Sequence, residues 1–258
     1  MFIHFLLAML PIIWLIIALS GLKMAGHVAC PIALIITAVE ALFLWKQKII
    51  DVLTGGLEGF AMAIWPICLV IVAAVFTYNL VVHTKNMELI KKMLTSVSRD
   101  KRVLVLIIAW GFGGFLEAVA GYGTAVAIPA SILASLGFNP LFAAVICLLA
   151  NTVPTAFGAL GIPVTTLATV TGLEVVHLSY VTSIQLAGFI VLIPFLLVIL
   201  TEKSIKALKG VVGITLISGI TFAVPQVFIA KYLGADLPAL VASICSMACT
   251  ILMAKAMN

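Results

Sequence analysis

Between Trp110 and Thr166 the sequence reads WGFGGFLEAVAGYGTAVAIPASILASLGFNPLFAAVICLLANTVPTAFGALGIPVTT, apolar enough for a bilayer yet repeatedly interrupted. It holds Gly111, Gly113, Gly114, Gly121, Gly123, Gly158 and Gly161, prolines at 140, 154 and 163, and the acid Glu117. An ordinary spanning helix does not look like this. Lipid offers no partner to backbone N–H and C=O groups, so backbone broken by glycine and proline survives at membrane depth only inside protein or beside a wet cavity. Such breaks mark binding sites in membrane carriers. The stretch therefore reads as a site, and the rest of the chain as its holder.

That reading needs the remainder to be membrane-embedded, and composition supplies this. Of 258 residues, 64% are hydrophobic and 9% charged, against roughly 25% charged in a soluble domain. A spanning helix takes about 20 apolar residues. Candidate spans lie near Phe2 to Leu22, Ala29 to Trp45, Ala61 to Val82, Tyr180 to Leu200, Val211 to Ala230 and Leu237 to Ala254. Prolines at 11, 31, 66, 194 and 225 fall within or near the ends of these segments, where membrane context tolerates them. The first apolar run has no basic residue before it and is too long for a cleavable signal, so it is expected to be retained as a span. The expected fold is an all-α polytopic membrane protein with about six full transmembrane helices plus broken or re-entrant helices in the centre. It is one transmembrane domain over residues 1–258: scaffold helices and a surface helix in 1–102, a broken-helix substrate region in 103–172, and scaffold helices in 173–258.

The charges serve this arrangement. A net charge of +5 would suit nucleic acid only as a continuous basic patch, whereas the Lys and Arg residues here flank apolar runs. If the loop from Lys85 to Arg102 is cytoplasmic, alternation puts Lys23, Lys203, Lys206, Lys209 and Lys255 on its side and leaves Lys46, Lys48 and Lys231 opposite. The positive-inside bias then places the N-terminus outside and the C-terminus in the cytoplasm. Thr84 to Val97 has apolar residues at 87, 90, 94 and 97 with charges opposite, the pattern of a short helix lying along the membrane surface. Thr171 and Glu174 have capping-box spacing before Val175, and His177 beside them reads as interfacial. Cysteines at 30, 68, 147, 245 and 249 are scattered through apolar segments with neither CxxC nor histidine spacing, so neither metal nor disulfide is expected.

Of the nine acids, Glu40 and Glu117 alone fall at membrane depth. A carboxylate there must be protonated, paired or facing water. Glu40, about one turn from the end of its span and near Lys46 and Lys48, reads as structural. Glu117 is a candidate proton carrier, the alternative being a permanently protonated acid bonded to a neighbouring helix. Gly121 and Gly123 let the backbone unwind, so that a helix beginning near Thr124 directs its positive end at an anion; the segment after Gly161 offers the same from the other side. The alternative use of these glycines is close helix packing. Asn151, Thr152, Thr155, Thr165 and Thr166 around the second break are donors and acceptors suited to a hydroxyl and a carboxylate. GTAVAIP at 123–129 and GALGIP at 158–163 form a weak internal echo, as in paired-hairpin carriers. No dinucleotide fingerprint, phosphate-loop lysine or HExxH appears, so neither an enzyme nor a cofactor is expected.

Two of these segments resemble the signatures of the L-lactate permease family, bacterial and archaeal importers of lactate and glycolate. FLEAVAGYGTAVAIPASILASLGFNPLFAA is similar to the family's FLEGxAGFGTPVAI-x-LGF-P-AA pattern, and NTVPTAFGALGIP to NTxPVAFGAxGxP; WPICLVIVAAVFTYNLV and the SRDKRV loop also look like family features. Ala118, Tyr122, Ala125 and Thr155 depart from the usual Gly, Phe, Pro and Val, while Glu117, Gly121, Gly123, Thr124, Asn151, Gly158, Gly161 and Pro163 match. The resemblance implies proton-coupled import of lactate, glycolate or a similar 2-hydroxy monocarboxylate. It places the proton on Glu117 and the substrate among Gly121, Tyr122, Gly123, Thr124, Asn151, Thr152, Thr155, Gly158 and Gly161. Family members are roughly twice as long, with a second polar, glycine-rich motif that has no counterpart after Leu200. The chain thus resembles an N-terminal half, and the expectation is a partner polypeptide supplying the remainder, a homodimer, or a fragment that does not transport alone. The other expected partners are the small anion, the proton and the lipid bilayer, with no nucleic acid.

Overall fold

An apolar chain in lipid must close its backbone hydrogen bonds internally, and helices joined by short turns make up all the described residues of the computed structural model. Described are residues 2–69, 72, 73, 76, 79, 80, 83–85, 88, 89, 92, 93, 96–121 and 123–257. Contacts group the chain into two compact units, Met1–Leu69 and Val70–Asn258. Among the described residues, five helices are long and apolar enough to cross a membrane, or six if one bent pair is counted as a span. This is an all-α polytopic membrane protein.

The first unit contains α1 (Phe2–Ala8), α2 (Leu10–Gly21), α3 (Gly26–Phe43) and α4 (Ile49–Met62). Buried Ala18, Ala29 and Ala33 let α2 and α3 approach closely, and the Trp14 indole donates to the Ala29 carbonyl at 3.2 Å. Glu40 is buried near the end of α3, with its Oε1 unpartnered among the described residues. No span is expected from the sequence between Trp45 and Ala61, where the structure has α4, with Asp51, Gly55, Gly56 and Glu58 inside it. Helical propagation tolerates each of these residues at about 1 kcal/mol or less. Beyond α4 the chain continues as π-helical turns over Ala63–Cys68, with Trp65 extended at φ −131°, ψ 114°. The span expected at Ala61 to Val82 and the surface helix expected at Thr84 to Val97 both fall partly outside the described residues.

The second unit is built around α5 (Lys101–Val119), most of which is buried and which widens to π-helical turns over Leu106–Phe112. The Asp100 carboxylate caps its start, accepting from the Arg102 N–H at 2.9 Å. Then come α6 (Thr124–Ser135), α7 (Pro140–Asn151), a 3-10 turn Pro154–Phe157 and α8 (Gly158–Thr171). At about 1.5 Å per residue, neither α6 nor α7 reaches across a core of about 30 Å. The α7 start is dictated locally: Asn139 accepts from Leu141 and Phe142 N–H, and Pro140 takes the first helical position. After it the chain bends by 57° between 140–151 and 154–171.

Three long helices complete the unit: α9 (Val175–Glu202), α10 (Val212–Leu233) and α11 (Pro238–Met257). They pack in sequence as hairpins, and Ser246 on α11 donates to the Ser218 carbonyl on α10 at 2.7 Å. Their outer faces expose Phe189, Leu192, Val224, Phe228 and Leu252, an apolar surface that only lipid or another protein accommodates. Against α5 these helices meet glycine. A Cβ on Gly111 would lie 2.9 Å from the Met247 Cβ, and one on Gly114 would lie 3.1 Å from the Phe222 ring. Trp110 stacks obliquely on Phe222 with ring centroids 4.8 Å apart.

The capping box expected at Thr171 and Glu174 does not form. Thr171 Oγ1 donates to the Leu167 carbonyl at 2.7 Å inside the last turn of α8, which Gly172 ends with φ 69°. Glu174 itself then occupies the cap position of α9, with no side-chain cap bond.

Candidate functional site

The glycines singled out in the sequence divide by use. Gly111 and Gly114 serve packing, whereas Gly121, Gly123 and Gly158 line a cavity of about 270 Å³ together with Glu117, Asn151, Thr155, Ala159 and Pro163. That volume lies below the roughly 300–1,000 Å³ of sites for drug-sized ligands. It suits a small molecule. All eight lining residues belong to the second unit.

Each wall has a local cause. The last turn of α5 carries Glu117, which is 4% exposed and has its Oε2 unpartnered among the described residues. After Val119 the helix ends, and Gly121 (φ 59°) and Gly123 (φ 87°) reverse the chain into α6. Such positive φ values suit glycine. The α6 N-terminus thus begins at the cavity edge, with the partial positive charge of its first turn. Thr124 stands at that start, but its hydroxyl donates to the Gly121 carbonyl at 2.7 Å, and it is not a lining residue.

The opposite wall comes from the α7–α8 break. Asn151 ends α7, and its Nδ2 donates to the Thr155 hydroxyl at 3.1 Å, while that hydroxyl donates to the Asn151 carbonyl. Both side chains also lie within interaction range of the Glu117 carboxylate. The Thr155 proton is therefore committed to backbone, and Asn151 Oδ1 is buried without a partner among the described residues. Thr152 bonds the Leu149 carbonyl at 2.7 Å and stays outside the cavity. Thr165 likewise bonds back to the Gly161 and Ile162 carbonyls.

Gly158 matters because of what it lacks. A Cβ there would fall on Glu117 Oε1, so the carboxyl group rests against bare backbone. Next, Ala159 (φ 46°), Leu160 (φ 58°) and Gly161 (φ 78°) form three consecutive left-handed residues before the regular part of α8. A Cβ on Gly161 would collide with the Ala235 carbonyl in the α10–α11 turn, so this residue anchors the break from behind. Tyr122 lies outside the described residues.

Six of the residues named from the sequence therefore meet around one space: Glu117, Gly121, Gly123, Asn151, Thr155 and Gly158. Ala159 and Pro163 join them without having been named as site residues. No chemical signal marks an alanine, and its left-handed backbone is not visible in its residue type; Pro163 stood out as a backbone break and a signature match, with no side-chain donor or acceptor to mark it as a ligand contact. Glu117 is the one charged side chain of the described lining, and no group of three potential metal ligands exists among the described residues. Such a lining can hold a small polar molecule and exchange a proton with it.

The model of the family described as L-lactate permease matches residues 4–258. The chain is 57% identical over 247 residues to an L-lactate permease of Streptococcus iniae, covering 96% of this chain and 52% of that one. It is 40% identical over 250 residues to a glycolate permease of Escherichia coli (strain K12), covering 97% and 44%, and 39% identical over 243 residues to an L-lactate permease of Bacillus subtilis (strain 168), covering 94% and 43%. The chain spans about half the length of these relatives. No solved structure matches it significantly.

Proposed function

The chain belongs to the L-lactate permease family, and from that premise we propose that it forms the substrate-binding part of a proton-coupled importer of lactate, glycolate or a similar 2-hydroxy monocarboxylate. One observation carries the reading: a buried carboxyl group, Glu117, shares a small cavity with Asn151, Thr155 and the glycine-opened start of α6. The substrate carboxylate is held by the α6 N-terminus, and its hydroxyl by the Asn151 amide.

No Lys, Arg or His of the described lining neutralises Glu117. When ionised it repels an arriving anion; when protonated it admits one. Proton and substrate then bind cooperatively, each lowering the free energy of the other's bound state. The Lys and Arg distribution supports an extracytoplasmic N-terminus and a cytoplasmic C-terminus.

A second reading is supported by the share of its relatives' length that the chain spans. In it the chain is a membrane subunit that does not transport until another polypeptide supplies the remainder. Uptake of labelled lactate into vesicles under an imposed pH gradient separates the two, measured with the chain alone and with the complementary half of a relative. Gradient-driven uptake in either preparation supports the importer, and uptake only with the second half supports the subunit. Uptake in neither sinks the importer. Glu117→Gln should abolish pH-driven accumulation and leave exchange of substrate down its own gradient. Accumulation equal to the parent would remove Glu117 from the coupling.

A further inference from the structure

Ala159 holds an unusual place in the cavity wall. It is 6% exposed, adopts φ 46°, and sits in a backbone region that few L residues other than Asn and Asp adopt readily. Its methyl group lies so close to Gly121 that a Cβ on Gly121 would be 3.2 Å from the Ala159 Cβ. The neighbouring Gly158 lies directly against the Glu117 carboxyl group. Gly123, Thr155 and Pro163 form the exposed rim of the cavity, whereas Glu117, Gly121, Gly158 and Ala159 form its closed end. Within that end, Gly121 and Gly158 carry no side chain and Glu117 carries the carboxyl group. Among the described residues, the Ala159 methyl is the one apolar side chain there.

We propose that Ala159 is the specificity-determining residue of this site, its methyl group limiting how large a substituent on C2 of a 2-hydroxy monocarboxylate the cavity takes. The inference rests on the monocarboxylate reading given above. A carboxylate and hydroxyl engaged by polar groups leave the C2 substituent, hydrogen in glycolate and methyl in lactate, to face whatever apolar surface the closed end offers. That surface is the Ala159 methyl, held rigidly by the left-handed turn and backed by Gly121. One methylene in such a pocket discriminates by about 10- to 200-fold.

Two substitutions separate size from backbone strain. Ala159→Gly removes the methyl and suits the positive φ, so the fold is retained. Ala159→Asn also tolerates the left-handed region but enlarges the side chain. Binding is read from thermal stabilisation of the purified chain by glycolate, L-lactate, 2-hydroxybutyrate and 2-hydroxy-3-methylbutyrate. In Ala159→Gly the affinity for 2-hydroxybutyrate relative to glycolate should rise about tenfold or more. In Ala159→Asn the affinity for lactate relative to glycolate should fall by a similar factor. A parent that binds the series while both variants keep its relative affinities overturns the role of Ala159 alone. A parent stabilised by none of the four acids overturns the monocarboxylate reading of this cavity and the inference resting on it.

Discussion

At Glu117 the carboxyl group depends on one missing side chain. Gly158 has φ −67°, ψ 158°, a backbone conformation open to any residue, so only the collision of a Cβ with Glu117 Oε1 argues for glycine there. Gly161 differs: its φ of 78° strains any L residue, and a Cβ would meet the Ala235 carbonyl, which cannot swing aside. The two Gly→Ala changes should therefore part company. Gly158→Ala pushes the far end of the Glu117 side chain into the cavity and should change stability by less than about 1 kcal/mol while abolishing pH-driven accumulation. Gly161→Ala should lower stability by about 2 kcal/mol or more, from the left-handed backbone and the overpacking together. Melting curves in detergent, set beside vesicle uptake, check both; equal stability losses would show that Gly158 serves packing alone. In the sequence both are glycines of one motif. Only the direction each missing Cβ would take tells them apart.

Among the elements, α5 is fixed at its start by a fork of hydrogen bonds. Arg102 binds Asp100 through Nε at 3.0 Å and Nη2 at 2.6 Å, and its Nη1 donates to the carbonyls of Ala207 at 2.6 Å and Lys209 at 3.2 Å. This ties the α9–α10 connection to the first turn of the buried helix whose last turn carries Glu117. The Arg102 guanidinium holds the Asp100 carboxyl below its ordinary value of 3.8, against the opposing effect of partial burial. A lowered carboxylate value means stability present above the unfolded value and lost as pH falls through the folded one. Arg102→Ala should cost about 2 kcal/mol at neutral pH, and Arg102→Lys should recover only part, because a single ammonium cannot reproduce the planar fork. As pH falls below about 3.8, the gap in melting temperature between parent and Arg102→Ala should narrow; a pH-independent gap would assign the loss to the two carbonyl bonds. The helix itself was legible as an apolar run beginning after a charged loop. Its tie to residues 207–209 joins positions more than a hundred apart, and local pattern carries no such information.

For the whole molecule, the question is which surfaces meet water. With the native cysteines replaced, single cysteines at 123, 155 and 163, on the exposed rim of the cavity, should react with a membrane-impermeant thiol reagent. Cysteines at 118 and 133, buried in α5 and α6, should not. Protection at all five positions would mean that the breaks do not border a wet cavity, and the site would lose its route to the proton.

Membership of the helical membrane class followed from the sequence alone, because a chain so apolar and so poor in charge can satisfy its backbone in lipid only as helices. The positions of the breaks followed as well, because glycine and proline act on backbone dihedrals locally, wherever the chain folds. The failed cap at Thr171 was decided by where α8 stops and α9 starts. The composition of the cavity was decided by the tertiary structure as well. Glu117, Gly121, Asn151, Thr155 and Gly158 are spread over three helices and two turns, and they converge where side-chain-free Gly158 lies against the Glu117 carboxyl group and Gly121 against Ala159. Of the hydroxyls near the breaks, Thr124, Thr152 and Thr165 bond back to their own helices, while Thr155 meets Asn151 at the cavity. Residue type determines that a threonine can bond. Which neighbouring group it reaches depends on where the helices break and on the course the backbone takes there, and only the folded structure contains that.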